Sequence, residues 1–195
     1  GTDMDMHSHF YHENLVELVK TGKVSQSILD EAVRRVLRIK FAKGLFENPY
    51  TDEEAEKTAM ATDEAHKLAL ESAKRSMVLL KNDGILPLKK GQKILLIGDV
   101  ATDRLEQLGT WTTCPNESDT VTLADGLENI GAEFEYLDGF GIEDKIDLDR
   151  LKTAAKNADV VIAAMGEKRS WSGEAAAFSD IGLRGTQKDL LNALQ

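Results

Sequence analysis

KILLIG, residues 93–98, decides how the rest of the chain is read. Four apolar residues stand between a lysine and a glycine. The run is too short for a buried helix and has no polar alternation, so it reads as a strand covered on both faces. Two similar runs follow, EFEYLDG at 133–139 and DVVIAAMG at 159–166. Helical patterns lie between them at about 120–130 and 147–157, and a further helix starts near GTQKDLL at 185–191. Strands alternating with helices predict a parallel sheet joined by right-handed crossovers.

Upstream of that sheet the pattern is helical. HENLVELVKTG places Leu15, Leu18 and Val19 on one face, with Gly22 beyond the end. Val24, Ile28, Leu29, Ala32, Val33, Val36, Leu37 and Phe41 then recur at helical spacing, with Ser25 or Ser27 as the start and Gly44 as the stop. Residues 44–61 hold Pro49 and an acidic stretch and read as a linker laid over a surface. A long helix capped by Thr62 or Asp63 carries a stripe of Ala65, Leu68, Ala69, Ser72, Ala73 and Ser76. It leads to a turn at Asn82-Asp83-Gly84. The change from helical to α/β pattern falls within 44–62, and no internal repeat is visible.

Composition narrows the function. With 195 residues, 42% of them apolar, the chain holds one medium domain or two small ones with a real core. A formal net charge of −10 argues against a protein that tracks nucleic-acid phosphates, which needs a basic face. Three prolines and no low-complexity tract argue against disorder. No apolar run is long enough to span a membrane. Cys114 is the single cysteine, so neither an internal disulfide nor a cysteine-based metal site is available. GTDMDMHSHFYH has neither the basic nor the apolar region of a signal peptide. It begins in mid-motif, and LLNALQ ends inside a helical pattern, so the sequence reads as a piece of a longer protein, silent about its own compartment.

Three places invite chemistry. ILLIGD follows a strand but lacks the glycines of a dinucleotide fingerprint and the lysine of a P-loop, so no phosphate cradle is expected. His7, His9 and His12 are spaced as zinc ligands are, yet no carboxylate partner is specified, and the expectation is ordinary exposed or hydrogen-bonded histidines. The third place is the loop KRSWSGEAAAFSD, residues 168–180. It leaves the carboxyl end of a strand, where open α/β sheets gather ligands. Glu174 sits in it among small residues, with Glu167, Lys168, Arg169, Trp171 and Asp180 nearby. Length and small side chains suit a mobile arm that reaches another surface. Residue chemistry alone leaves Glu174 as a solvated loop carboxylate.

The blocks GTDMDM, DEAVRRVLRIKFAKGLFENPY, HKLALESAKRSMVLLKNDGILPL, KILLIGDVA, LGTW, SDTVTLADGL and SGEAAAFSDIGLRGTQKDLLNAL occur in that order. Together they resemble glycoside hydrolase family 3, of the bacterial periplasmic β-glucosidase type, over essentially the whole chain. The resemblance implies a fold in three parts. Residues 1–45 would be the C-terminal end of a TIM-type (β/α)8 barrel domain, 46–90 a linker and interdomain helix, and 91–195 the N-terminal part of a mostly parallel α/β sandwich domain. Asp3 and Met4 would lie at the exit of the last barrel strand, the end where barrel enzymes place their sites, and would contact substrate. Without the rest of the barrel, helices in 12–43 would expose an apolar face and the sheet an open edge.

The same resemblance implies retaining hydrolysis of terminal β-D-glucosyl residues by two carboxylates. The family's nucleophile is an aspartate in a barrel motif upstream of GTDMDM, which this sequence does not contain. The acid/base is a glutamate in a G-E-A-x-x-R-like stretch shortly before a leucine–proline pair, and GEAAAFSDIGLR puts Glu174 in that place. A loop closing over the sugar lowers the local dielectric, which favours the protonated carboxyl that such chemistry needs. Two positions depart from the pattern: Phe178 stands where arginine is common, and Arg184 where proline is common. Trp171 is either a platform for a sugar face or an anchoring hydrophobe. No cofactor is implied. The implied partners are a β-glucoside or oligosaccharide and the remaining barrel segment, in a periplasmic or secreted protein. Alternatives are a β-xylosidase or β-N-acetylglucosaminidase of the same family, or a noncatalytic α/β interaction domain. Lacking the aspartate, the chain by itself would form no glycosyl–enzyme intermediate.

Overall fold

Helical spacing between residues 10 and 42 produces two amphipathic helices, α1 (Phe10–Lys20) and α2 (Gln26–Ala42). The computed structural model describes residues 2–195, so Gly1 of the GTDMDM block lies outside it, and the chain divides into two compact units, 1–71 and 72–195. In the first unit, Gly22 follows the end of α1 and donates its N–H to Val19 O at 3.0 Å. Ser25, rather than Ser27, caps α2, its Oγ accepting the Ile28 N–H at 3.4 Å. The end of α2 closes in a Schellman motif: Gly44 N–H reaches Phe41 O at 3.0 Å and Leu45 N–H reaches Lys40 O at 3.1 Å. Between α1 and α2 lies a groove of about 490 Å3 lined by Phe10, Leu15, Leu18, Val24, Ile28 and Val33 among others. Ile28, Val33, Ile39 and Phe41 are exposed.

The stretch expected to be a linker contains a third helix, α3 (Glu53–Ala59). Asp52 caps it by accepting the Glu54 N–H at 3.0 Å, and Glu53, Glu54 and Glu56 place negative charge at its positive end. The acidic run that suggested a solvated connection is therefore also a helix-start signal. Thr62 caps α4 (Asp63–Ser76), its Oγ1 accepting the Ala65 N–H at 3.2 Å. The division between the units falls within α4. Beyond it, Asn82 makes the expected turn: Oδ1 accepts from Gly84 N at 3.1 Å and Leu86 N at 3.0 Å.

The second unit is built on β1 (Ile94–Ile97), whose four side chains are all buried. It pairs in parallel with β2 (Phe134–Leu137) on one side and β3 (Val160–Ala163) on the other, in the order β2-β1-β3. Side chains alternate across a strand, so Leu95 and Ile97 face one layer and Ile94 and Leu96 the other. The connecting helices are short. They are α5 (Arg104–Gln107), α6 (Leu123–Asn129), α7 (Leu148–Lys156) and α8 (Gln187–Leu194). Leu95 and Ile97 pack with Leu137, Phe140, Leu151 of α7 and Leu190 of α8. Ile94 and Leu96 pack with Ala101, Val160 and Leu127 of α6. At the carboxyl end of β1, Gly98 has φ +97°, and a Cβ there would stand 2.1 Å from Ala164 O. Only glycine lets the exits of β1 and β3 approach so closely.

Start signals place the crossover helices. Asp147 caps α7 through the Arg150 N–H at 3.0 Å. Thr122 and Asp125 form a capping box at α6, with bonds of 3.1 and 2.9 Å. Arg104 of α5 pairs with Asp125 at 2.7 Å and also donates to Thr120 O, tying α5 to the start of α6. The Thr122 backbone N–H, and the Arg104 charge with it, hold the Asp125 carboxyl below its ordinary range.

Two outcomes test this account. Leu96→Ala empties a fully buried site and should lower the unfolding free energy by about 2–5 kcal/mol in chemical denaturation. The folded carboxyl of Asp125 titrates below its unfolded value of about 3.9, so its contribution is present above that pH and is lost as pH falls through the folded value. Asp125→Asn should therefore be less stable than wild type near neutrality and lose less stability between about pH 5 and 2, read from urea midpoints across that window.

Candidate functional site

Of the connections that leave the carboxyl ends of the strands in the second unit, the longest runs from β3 to α8. It opens with a single 3-10 turn at Arg169–Trp171. A tight turn follows, in which Gly173 and Ala176 form an antiparallel bridge and the Ala176 N–H points to Gly173 O at 3.4 Å. Glu174 and Ala175 are the two residues at its tip. Gly173 has φ +145°, and a Cβ added there would lie 2.8 Å from Thr110 Oγ1. The turn thus rests against the loop that follows α5. Glu174 is exposed, and its carboxylate makes no hydrogen bond or ion pair with another described residue.

Four attachments hold the connection. Gln187, at 3% exposure, is the first: its Oε1 accepts the Gly166 N–H at 2.8 Å and its Nε2 donates to Arg184 O at 3.0 Å. One side chain thus binds the exit of β3 and the approach to α8. In the second, the Arg169 N–H donates to Glu106 Oε2 on α5. Third, Lys168 Nζ meets Glu143 Oε2 at 2.8 Å, on the loop after β2. The hydrogen bond to Glu143 raises the Lys168 pKa, with added attraction from Asp99 and Glu106. The fourth is aromatic. Trp171 and Phe178 meet edge to face at 5.7 Å, and the Arg184 guanidinium lies 3.1 Å from the Phe178 ring centre and 5.1 Å from that of Trp171.

The residues singled out in sequence separate into groups. Trp171, Phe178 and Arg184 come together around the Glu174 turn. Glu167 and Asp180 are exposed, and Asp180 only closes its own turn through the Gly182 N–H at 2.8 Å. Asp3 and Met4 belong to the first unit. Asp3 pairs with Arg35 of α2 at 3.0 Å, and Met4 is 53% exposed. His7, His9 and His12 are exposed, and among the described residues no group of three His, Cys, Asp or Glu side chains could hold a metal ion. Cys114 is exposed. Sequence reasoning missed Gln187. It lies on the buried face of α8 in register with Leu190 and Leu194, and a polar residue on an apolar stripe was the available signal.

Comparison with known proteins shows which family this chain resembles. The sequence profile of the glycosyl hydrolase family 3 C-terminal domain matches residues 77–195. The periplasmic β-glucosidase of Salmonella typhimurium is 34% identical, the match covering 100% of this chain and 30% of that protein. A β-xylosidase of Formosa agariphila is 30% identical, covering 100% of this chain and 30% of that protein. Among solved structures, the β-glucosidase from Listeria innocua in complex with isofagomine superposes with a TM-score of 0.90 at 35% identity, over 100% of this chain and 28% of that one. A mutant of the Listeria innocua enzyme in complex with laminaribiose gives a TM-score of 0.89 at 34% identity, over 98% of this chain and 27% of that one. The chain therefore spans less than a third of the length of these relatives.

Gln187→Ala should leave the half-buried Gly166 N–H without its partner and remove the side-chain bond to the Arg184 carbonyl, which keeps the Gln187 backbone N–H at 3.4 Å. Native-state hydrogen exchange should show faster exchange at Gly166, with a loss of about 1–3 kcal/mol in unfolding free energy.

Proposed function

The chain belongs to glycosyl hydrolase family 3, and from that premise we propose that it is part of a retaining β-glycosidase of β-glucosidase type in which Glu174 is the acid/base. The observation that carries the reading is the placement of Glu174. It is an unpaired, exposed carboxylate at the tip of a turn that is itself anchored to the carboxyl edge of a rigid sheet. A proton donor brought to a substrate from outside needs that combination of free tip and fixed base.

The proposed domain plan has the end of a (β/α)8 barrel at residues 1–45, a linker and interdomain helix at 46–90, and the first part of a sandwich domain at 91–195. The sugar would be held mainly by barrel segments outside this chain. In the first step an aspartate of those segments attacks the anomeric carbon while the Glu174 carboxyl passes its proton to the departing glycosidic oxygen. The carbon–oxygen bond breaks and a covalent glycosyl–enzyme remains. In the second step the Glu174 carboxylate takes a proton from water, whose oxygen displaces the aspartate and restores the β-configuration. Retention asks for the two carboxyl groups to stand about 5–5.5 Å apart. Asp3, fixed by Arg35, and Met4 are proposed as substrate contacts within the barrel part, and Trp171 as one on the sandwich part. The name of the Salmonella relative supports a periplasmic or secreted setting. No helix among the described residues is long and apolar enough to cross a membrane.

A β-xylosidase is the second reading, favoured by the Formosa relative. The ratio of kcat/KM for aryl β-glucoside and aryl β-xyloside in the parent enzyme separates the two. Glu174→Ala in that enzyme tests the acid/base role. Turnover of substrates with poor leaving groups should fall by about 10²–10⁴-fold, activated aryl glycosides should suffer least, and azide should restore rate with formation of the β-glycosyl azide. Unchanged turnover on every substrate would return Glu174 to the standing of a surface residue.

A further inference from the structure

The two positions that depart from the family pattern, 178 and 184, meet in space. Phe178 lies four residues after Glu174, and Trp171 three before it. Their edge-to-face contact at 5.7 Å closes the neck of the loop whose tip is Glu174. Within that loop the residues beside the glutamate are Ser172, Gly173, Ala175, Ala176 and Ala177, whose side chains are small or absent. Beyond the Gly173–Ala176 bridge and the contact of Gly173 with Thr110, the side chains that close the loop are the two rings at the neck.

Arg184 covers both rings, with its guanidinium 3.1 Å from the centre of Phe178 and 5.1 Å from that of Trp171. No described carboxylate pairs with it, so the ring faces are what hold the guanidinium. The backbone of Arg184 is fixed separately, since its carbonyl accepts from Gln187 Nε2 at 3.0 Å while Gln187 Oε1 holds Gly166 at 2.8 Å. A continuous series of contacts thus runs from the exit of β3, through the first turn of α8, to the neck of the loop. We propose that Arg184 and Phe178, acting with Trp171, form a clamp that orients Glu174 for proton transfer, Arg184 and Phe178 being positioning residues. This rests on the acid/base reading of Glu174.

A clamp of this kind acts on the orientation of the proton donor. It predicts a defect that depends on the leaving group, whereas a residue that only stabilises the fold would affect all substrates alike. In the parent enzyme, Arg184→Ala and Phe178→Leu should each lower kcat/KM for an alkyl β-glycoside by roughly 10–100-fold, the cost of a misplaced catalytic group, and change that for the 2,4-dinitrophenyl glycoside by about 2-fold or less. Phe178→Leu keeps apolar bulk and removes the ring face, so it remains informative if Arg184→Ala fails to fold. Phe178→Tyr, which keeps the ring, should restore the alkyl glycoside rate. Equal losses on both substrates, no loss on either, or an alkyl glycoside rate unchanged in Phe178→Leu would each overturn the clamp. Glu174→Ala measured alongside separates the two claims. If it discriminates between the leaving groups while Arg184→Ala and Phe178→Leu do not, the clamp alone is wrong. If Glu174→Ala itself does not discriminate, the acid/base role is wrong and the clamp falls with it.

Discussion

Burial of Ile94–Ile97 on both faces and along both edges is the constraint from which the second unit follows. A strand so enclosed has no free edge for a ligand and no exposed face for a site. Its neighbours run parallel to it, so every connection must cross over, and the crossover helices occupy the faces. Open α/β sheets gather ligands at the rim outside the carboxyl ends. Gly98 shows how tightly that rim is drawn, since the exits of β1 and β3 come within a distance that no side chain tolerates. The connection after β3 has to travel outward from there.

That connection joins a rigid base to a slight tip, and Gln187 is where the two are coupled. A buried amide on an apolar helix face is costly unless both of its polar ends are used. Here both are, one on the strand exit and one on the carbonyl of Arg184. The same side chain that completes the packing of α8 thereby fixes the backbone of a loop residue whose guanidinium lies over two rings. Fold stability and loop position are linked through one residue, so damage to the first is felt in the second.

Much of this was legible in sequence. KILLIG, EFEYLDG and DVVIAAMG announced strands because continuous apolar runs of that length have few other uses, and the order of strands and helices announced the parallel sheet. Gly22 and Gly44 announced helix ends, and Ser25 or Ser27 and Thr62 or Asp63 helix starts, because capping chemistry is local; the structure selects Ser25 and Thr62. The acidic run at Glu53–Glu56 was harder, since the same residues suit a solvated linker and a helix start, and Asp52 decides between them through a hydrogen bond that composition does not reveal. Gln187 was missed because its partners, Gly166 and Arg184, are brought together only by the tertiary fold. Phe178 and Arg184 were visible as departures from a pattern, but not as a pair. Their contact depends on how the chain folds back between them. Glu174 drew interest through resemblance, because residue chemistry alone described a solvated carboxylate.

The placement of positive charge around the Glu174 turn bears on what a carboxylate there can do. A cation beside a carboxyl favours its ionised form, which suits a metal ligand or an ion pair but opposes a group that must carry a proton to its substrate. The loop from 168 to 184 contains Lys168, Arg169 and Arg184, in a chain whose net charge is −10. Lys168 is committed to Glu143 on another loop, and Arg184 is spread over the faces of Phe178 and Trp171. None of the three pairs with Glu174. Stacking on rings holds a guanidinium in place without an ion pair to the nearest acid. An arginine held by a carboxylate would bring a second acid to the same loop, with the repulsion that follows. In the proposed clamp Arg184 is held by two rings, so no second acid is brought to the loop to hold it.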